Sequence, residues 1–135
     1  MTVRCLIVDD SQPFLDAARS LLERQGITVV GVASTTAEAL ERATELRPDV
    51  TLVDINLGDE SGLDLARELS RRGVGAPSHL ILISAQAEQD YADLIAESPA
   101  AGFLSKTALS ADAIRDLLAP PDGDPLDPPG GPREG

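Results

Sequence analysis

Aromatic residues are almost missing from this chain. Two phenylalanines, one tyrosine and no tryptophan make up 2% of it, against 42% hydrophobic residues. Any core must therefore be built from Leu, Ile, Val and Ala. Basic residues are also scarce: 11 Lys and Arg face 23 Asp and Glu, for a formal net charge of −12. That balance argues against a chain that grips nucleic acid or anionic lipid by itself. It suits a protein that binds cations or basic partner surfaces. A lone cysteine, Cys5, excludes an internal disulfide and fits a reducing cytoplasm. Within the apolar run Val3 to Val8 it is expected to be a small buried hydrophobe rather than a redox thiol. The single histidine, His79, opens a strand and is expected to be structural or exposed. No apolar run approaches the ~20 residues of a membrane span, and no signal peptide is visible.

What remains is a regular alternation of apolar patterns in a length that fits one domain. Val3 to Val8 is almost continuously apolar and reads as a strand buried on both faces. It ends on Asp9-Asp10. Ser11 is placed to cap a helix with Pro13 in its first turn, and Phe14, Ala17, Ala18, Leu21 and Leu22 form its apolar stripe up to Gly26. Ile27 to Val32 is a β-branched strand. Ser34-Thr35-Thr36 with Glu38 signals a capped helix from Thr36 to Leu46, with Ala39, Leu40, Ala43 and Leu46 inward and Pro48 as its stop. Val50 to Val53 is the third strand and delivers Asp54 at its end. Gly62 precedes a helix that buries Leu63, Ala66 and Leu69. After a loop at Gly73 to Pro77, the strand His79 to Ile83 ends on Ser84-Ala85. Glu88 to Glu97 is expected to be helical and strongly acidic, with a solvated face as its simplest explanation. Gly102 to Leu104 is a short fifth strand, followed by Ser105-Lys106-Thr107. Ser110 caps a last helix carrying Ala113, Ile114, Leu117 and Leu118. From Pro120 to Gly135 the chain has six prolines and four glycines. That composition predicts a flexible tail over 120–135, after a folded domain over 1–119.

Strands that alternate with helices five times imply right-handed βαβ units. The expected fold is α/β: a doubly wound, five-stranded parallel sheet with helices on both faces. Loops at the C-terminal strand ends then converge, and ligands bind at that edge. The residues delivered there are Asp9, Asp10, Asp54, Ser84 and Lys106. Clustered carboxylates repel one another unless a cation neutralises them. Oxygen-only ligands select a hard cation such as Mg²⁺, which shares its shell with phosphate oxygens. Asp54 would then be a nucleophile that accepts a phosphoryl group. Lys106 and the metal would offset the developing charge, and the Ser84 hydroxyl would donate to the phosphoryl group.

Ile7-Val8-Asp9-Asp10, Leu52-Val53-Asp54, Ile83-Ser84-Ala85 and Gly102-Phe103-Leu104-Ser105-Lys106, in this order and each at a strand end, resemble the receiver domain of bacterial two-component response regulators, a flavodoxin-like fold. The resemblance covers Val3 to about Ala119. It implies that Asp54 is the phosphoacceptor, that Asp10 binds Mg²⁺ directly and Asp9 through water, and that the Asn56 carbonyl completes the metal shell. It further implies that Ser84 and Phe103 are the switch pair, that Ala85 leaves room for the phosphoryl group, and that Lys106 is the invariant lysine. Three departures stand out. Gly58 replaces a usual proline and Asp59-Glu60 follow, so that loop is expected to be more flexible and more acidic. Thr107 replaces a frequent proline after the lysine. Phe103 replaces a commoner tyrosine, leaving its ring no hydroxyl.

The resemblance implies a histidine kinase or phosphotransfer protein as donor and a downstream protein as target, with no direct nucleic acid or membrane binding and room for a weak homodimer. The expected function is that of a single-domain, cytoplasmic response regulator. It would not be an enzyme, beyond self-phosphorylation and autodephosphorylation chemistry that Asn56 and Gln86 are placed to tune. The alternative is an interaction module of the same fold that signals without phosphate. A phosphohydrolase ranks last, because such enzymes usually carry a second acid where this chain has Asn56.

Overall fold

A computed structural model describes residues 3–71, 79–85, 92–98 and 100–118. The expected loop at 73–77, Gln86, most of the acidic run from Glu88, and the tail from 120 onward lie outside the described residues. The elements are β1 (Arg4–Val8), α1 (Gln12–Arg24), β2 (Thr28–Ala33), α2 (Thr36–Leu46), β3 (Val50–Asp54), β4 (Asn56–Leu57), β5 (Glu60–Ser61), α3 (Gly62–Arg71), β6 (His79–Ser84), α4 (Ala92–Ala96), β7 (Gly102–Ser105) and α5 (Ala111–Leu118). A single turn of 3₁₀ helix, Lys106–Ala108, links β7 to α5.

Five strands pair in the order β2-β1-β3-β6-β7, all in parallel. The near-continuous apolar runs now have a cause, because successive residues face opposite sides of a sheet covered on both. Cys5, Ile7, Leu52, Ile81 and Ile83 pack with Leu15, Ala18 and Leu22 of α1 and Ile114 of α5. Leu6, Val8, Val53 and Leu82 pack on the other side with Ala39 and Ala43 of α2 and with Leu63, Ala66 and Leu69 of α3. Leu40 and Leu46, expected inside, are only half-buried. They lie at the flanks of the stripe that Ala39 and Ala43 define. Cys5 is fully buried, and burial pushes its thiol up to about 12. His79 is exposed at the start of β6, at the sheet end opposite the Asp54 side.

The helix starts follow from their caps. Ser11 Oγ accepts from the Phe14 amide at 3.4 Å. Thr35 Oγ1 accepts from the Glu38 amide at 3.1 Å, and Glu38 Oε1 reaches back to the Ser34 amide at 2.9 Å. Ser110 Oγ accepts from the Ala113 amide at 3.0 Å. Each satisfies N–H groups that a first helical turn leaves without partners. No helix among the described residues is long and apolar enough to cross a membrane.

One element differs from the expected loop. The segment after Asp54 forms an antiparallel hairpin that pairs Asn56 with Ser61 and Leu57 with Glu60. Its two-residue turn is Gly58-Asp59, and Gly58 has φ +63. A left-handed first turn residue suits the right-handed twist of a hairpin, and proline, fixed near −65°, cannot adopt it. Glu60 accepts from the Thr36 amide at 2.8 Å and the Thr36 hydroxyl at 3.0 Å, which ties the hairpin to the start of α2. The acidic loop is thus hydrogen-bonded at its base and anchored at its side.

Candidate functional site

The strand order reverses beside β1, so the C-terminal ends of β1 and β3 leave a crevice between their diverging loops. Asp9 and Asp10 follow β1, Asp54 ends β3, Ser84 ends β6, and Lys106 follows β7. An open cleft of about 330 Å³ is lined by Asp10, Asp54, Asn56, Gly58, Ser84, Ala85 and Lys106. Every strand-end residue singled out in the sequence therefore lies in or directly behind one cleft. Phe103 does not line it. Its ring is half-buried on the α2/α3 side, in the cluster that includes Ile95 and Ala100.

Lys106 organises the charges. Its Nζ lies 3.0 Å from Asp54 Oδ2 and 2.5 Å from Asp9 Oδ2. The Asp54 contact is a hydrogen bond. The Asp9 contact is an ion pair to a carboxylate oxygen that is itself buried. The other carboxylate oxygens are held by backbone. Asp9 Oδ1 accepts from the Ser11 amide at 2.8 Å, and Asp54 Oδ1 from the Asn56 amide at 3.0 Å. Burial pushes the Asp54 carboxyl above its ordinary value, and the Asp9 charge adds to that, against the opposing pull of the Asn56 amide and Lys106. For Lys106, burial works against the charge, but its contacts with Asp9 and Asp54 outweigh it and hold the ammonium above its usual pKa. The 3₁₀ turn that presents it is capped by Ser105, whose Oγ accepts from the Thr107 amide at 3.3 Å. Lys106 is also the only lysine in the chain.

The donor set fits a hard divalent cation. One oxygen each from Asp9, Asp10 and Asp54 lie within 4.8 Å of one another. Asp9 is fully buried and Asp54 5% exposed, while Asp10 is exposed and opens the group to solvent. Three carboxylates gathered around the one ammonium of Lys106 leave an excess of negative charge that a cation corrects.

Two contacts at the site are not legible from strand ends. The Lys106 Nζ sits 4.5 Å from the centroid of the Phe14 ring. Phe14 reads in sequence only as part of the α1 apolar stripe. The Glu60–Thr36 bridge joins residues 24 apart. Gly58-Asp59 between Leu57 and Glu60 is, however, a two-residue hairpin signal.

The model of the response regulator receiver domain family matches residues 5–119. The chain is 35% identical over 117 residues to the uncharacterised transcriptional regulatory protein YvfU of Bacillus subtilis, covering 84% of this chain and 58% of that protein. It is 30% identical over 118 residues to the response regulator GacA of Pseudomonas viridiflava, covering 84% and 52%. The chain thus spans a little over half the length of these two relatives. A solved response regulator from Burkholderia pseudomallei, with a phosphorylated aspartic acid, a calcium ion and citrate, superposes with a TM-score of 0.74 at 26% identity, covering 85% of this chain and 66% of that one. With the strand order, the crevice and the family match in agreement, this chain belongs to the response regulator receiver domain family.

Proposed function

We propose that this receiver domain accepts a phosphoryl group on Asp54 from a phosphohistidine of a histidine kinase or phosphotransfer protein. The observation that carries the proposal is the convergence of Asp54, Asp9, Asp10, Ser84 and Lys106 from separate strand ends on one cleft. A carboxylate oxygen of Asp54 forms the new P–O bond. The P–N bond of the donor breaks, and its electron pair leaves with the imidazole, which takes up a proton. The Asn56 amide and the Lys106 ammonium fix the carboxylate before attack. Asp10, Asp54 and the Asn56 carbonyl would hold Mg²⁺, with Asp9 acting through a water. The charge on the phosphoryl oxygens is offset by such a cation when it is bound.

The phosphoryl group carries about −1.5 to −2 charge, in place of the single negative charge of the carboxylate it modifies. Ser84, 1% exposed at the cleft wall, would donate its hydroxyl to that group, with Ala85 beside it leaving room. Phe103 would fill the space Ser84 leaves. Because Phe103 and Ile95 of α4 pack against the same core cluster, its movement would reach that helix. Inverting a 1:99 population takes about 5.5 kcal/mol of differential stabilisation, so several such contacts act together. The reading makes the protein a cytoplasmic signalling module whose output passes through a protein contact; the phosphorylated aspartate of the similar Burkholderia pseudomallei regulator supports the phosphoacceptor step.

Acetyl phosphate supplied with Mg²⁺ should label the protein on Asp54. Label that persists in Asp54→Asn, or that forms equally well in EDTA, would overturn the assignment.

A further inference from the structure

Among the described residues, three groups surround the Lys106 ammonium. Two are the carboxylates of Asp9 and Asp54. The third is the Phe14 ring, with Nζ 4.5 Å from its centroid. An ammonium over an aromatic face is attracted by the ring quadrupole, and more strongly as water is excluded. The Lys106 side chain is only 18% exposed.

The ring is held from behind. Phe14 packs against the cluster that includes Leu15, Ala18 and Ile114. Its amide is bonded to Ser11 Oγ, and the Ser11 amide donates to Asp9 Oδ1. Asp9 then meets Lys106 through its other oxygen. The four residues close a loop of contacts, Asp9 to Ser11 to Phe14 to Lys106 and back. The start of α1 therefore fixes both a carboxylate of the acidic cluster and the surface on which the lysine rests. A lysine on four rotatable bonds loses up to about 2 kcal/mol of rotamer entropy when held in place, so a fixed ring that restricts it acts on the reactive geometry.

We propose that Phe14 is a positioning residue for Lys106, and that its aromatic face holds the ammonium at Asp54 and thereby speeds phosphoryl gain. The proposal rests on the phosphoacceptor reading above. The reaction is unchanged: an Asp54 oxygen bonds to phosphorus, and the donor's P–O bond breaks with its electron pair leaving on acetate when acetyl phosphate is the donor.

The test uses Phe14→Leu, which keeps an apolar side chain without a ring, and Phe14→Tyr, which keeps the ring. Because Lys106 is the only lysine, ¹³C-lysine labelling of the full chain reports on this side chain alone. In the wild type and Phe14→Tyr the two Lys106 Hε protons should be resolved and shifted by the ring. In Phe14→Leu they should collapse towards one averaged signal. Labelling by acetyl phosphate with Mg²⁺ should slow roughly three- to tenfold in Phe14→Leu and stay within about twofold of wild type in Phe14→Tyr. Equal slowing in both variants, wild-type rates in Phe14→Leu, or averaged Hε signals in the wild type would each overturn the proposal. If Phe14→Leu does not fold, Phe14→Met replaces it with the same expectations. If the wild type takes no label, the phosphoacceptor reading fails and the rate effect with it, while resolved Hε signals would still show the ring holding the ammonium.

Discussion

Gly62 lies against the carbonyl of Asp54 so closely that a β-carbon would stand 1.8 Å from that oxygen and 2.7 Å from the carbonyl carbon. The Gly62 amide meanwhile donates to the Ile55 carbonyl at 2.8 Å. The start of α3 is thus pressed onto the end of β3, and the obstacle is backbone that cannot rotate away. Gly62→Ala is expected to destabilise the fold by about 2–3 kcal/mol, the scale of overpacking in a tight interior. It should also slow Asp54 labelling, because relief requires moving the Asp54 peptide. Denaturant melts decide this, and a wild-type midpoint would show that the junction relaxes freely.

The raised Asp54 carboxyl has a stability consequence. Burial, with repulsion from Asp9, lifts it above 3.8 in the folded state. A group raised in this way contributes most below its unfolded value and loses that contribution as pH rises through its folded value. At neutral pH without metal, the ionised Asp54 therefore costs stability, and Asp54→Asn should melt higher than the wild type in EDTA. Mg²⁺ should reverse the order by stabilising the wild type, by about 2.7 kcal/mol at a hundredfold excess over its dissociation constant. A lower melting temperature for Asp54→Asn in EDTA would contradict this account of the pocket.

The strand-end carboxylates, Ser84 and Lys106 were legible because each follows an apolar run whose period and length define where a strand stops. A parallel sheet then brings those stops together by topology alone. The helix caps were legible because Ser11, Thr35 and Ser110 act within three residues of themselves. Phe14 was not. Its ring contributes to the α1 stripe and to Lys106 at once, and periodicity records only the first. The anchoring of the 58–60 turn was hidden for a related reason. Glu60 reads as one more surface acid until α2 is brought beside it, 24 residues away in sequence. That contact turned an expected loose loop into a tethered hairpin.

Cys5 offers a test of the core. Its thiol is fully buried and displaced from 9.0 to about 12. Between those values the unfolded thiol has lost its proton and the folded one keeps it, so stability falls as pH rises, by about 1.4 kcal/mol per pH unit at most. Cys5→Val should remove that component of the alkaline slope while keeping the core filled. Identical slopes for the two proteins in urea melts between pH 9 and 11 would sink the idea.

The Glu60 carboxylate takes both the amide and the hydroxyl of Thr36, at the first turn of α2. An anion at a helix start is favoured by the local N–H groups and the helix dipole. The contact is exposed, so its worth should be modest, about 1 kcal/mol. Glu60→Ala removes the whole contact, while Thr36→Val removes only the hydroxyl bond. Their double-mutant cycle should show coupling of about 0.5–1 kcal/mol. The hairpin also carries Gly58, where an added β-carbon would lie 3.3 Å from Asp10 Oδ2. Releasing the hairpin should therefore loosen the wall beside Asp10 and weaken Mg²⁺ binding in Glu60→Ala. Glu60→Gln, which retains an acceptor for Thr36, should fall between the two. Calorimetric titration with Mg²⁺ reads this directly. Equal affinities for wild type and Glu60→Ala would mean that the tether to α2 supports the fold alone and does not reach the acidic cluster.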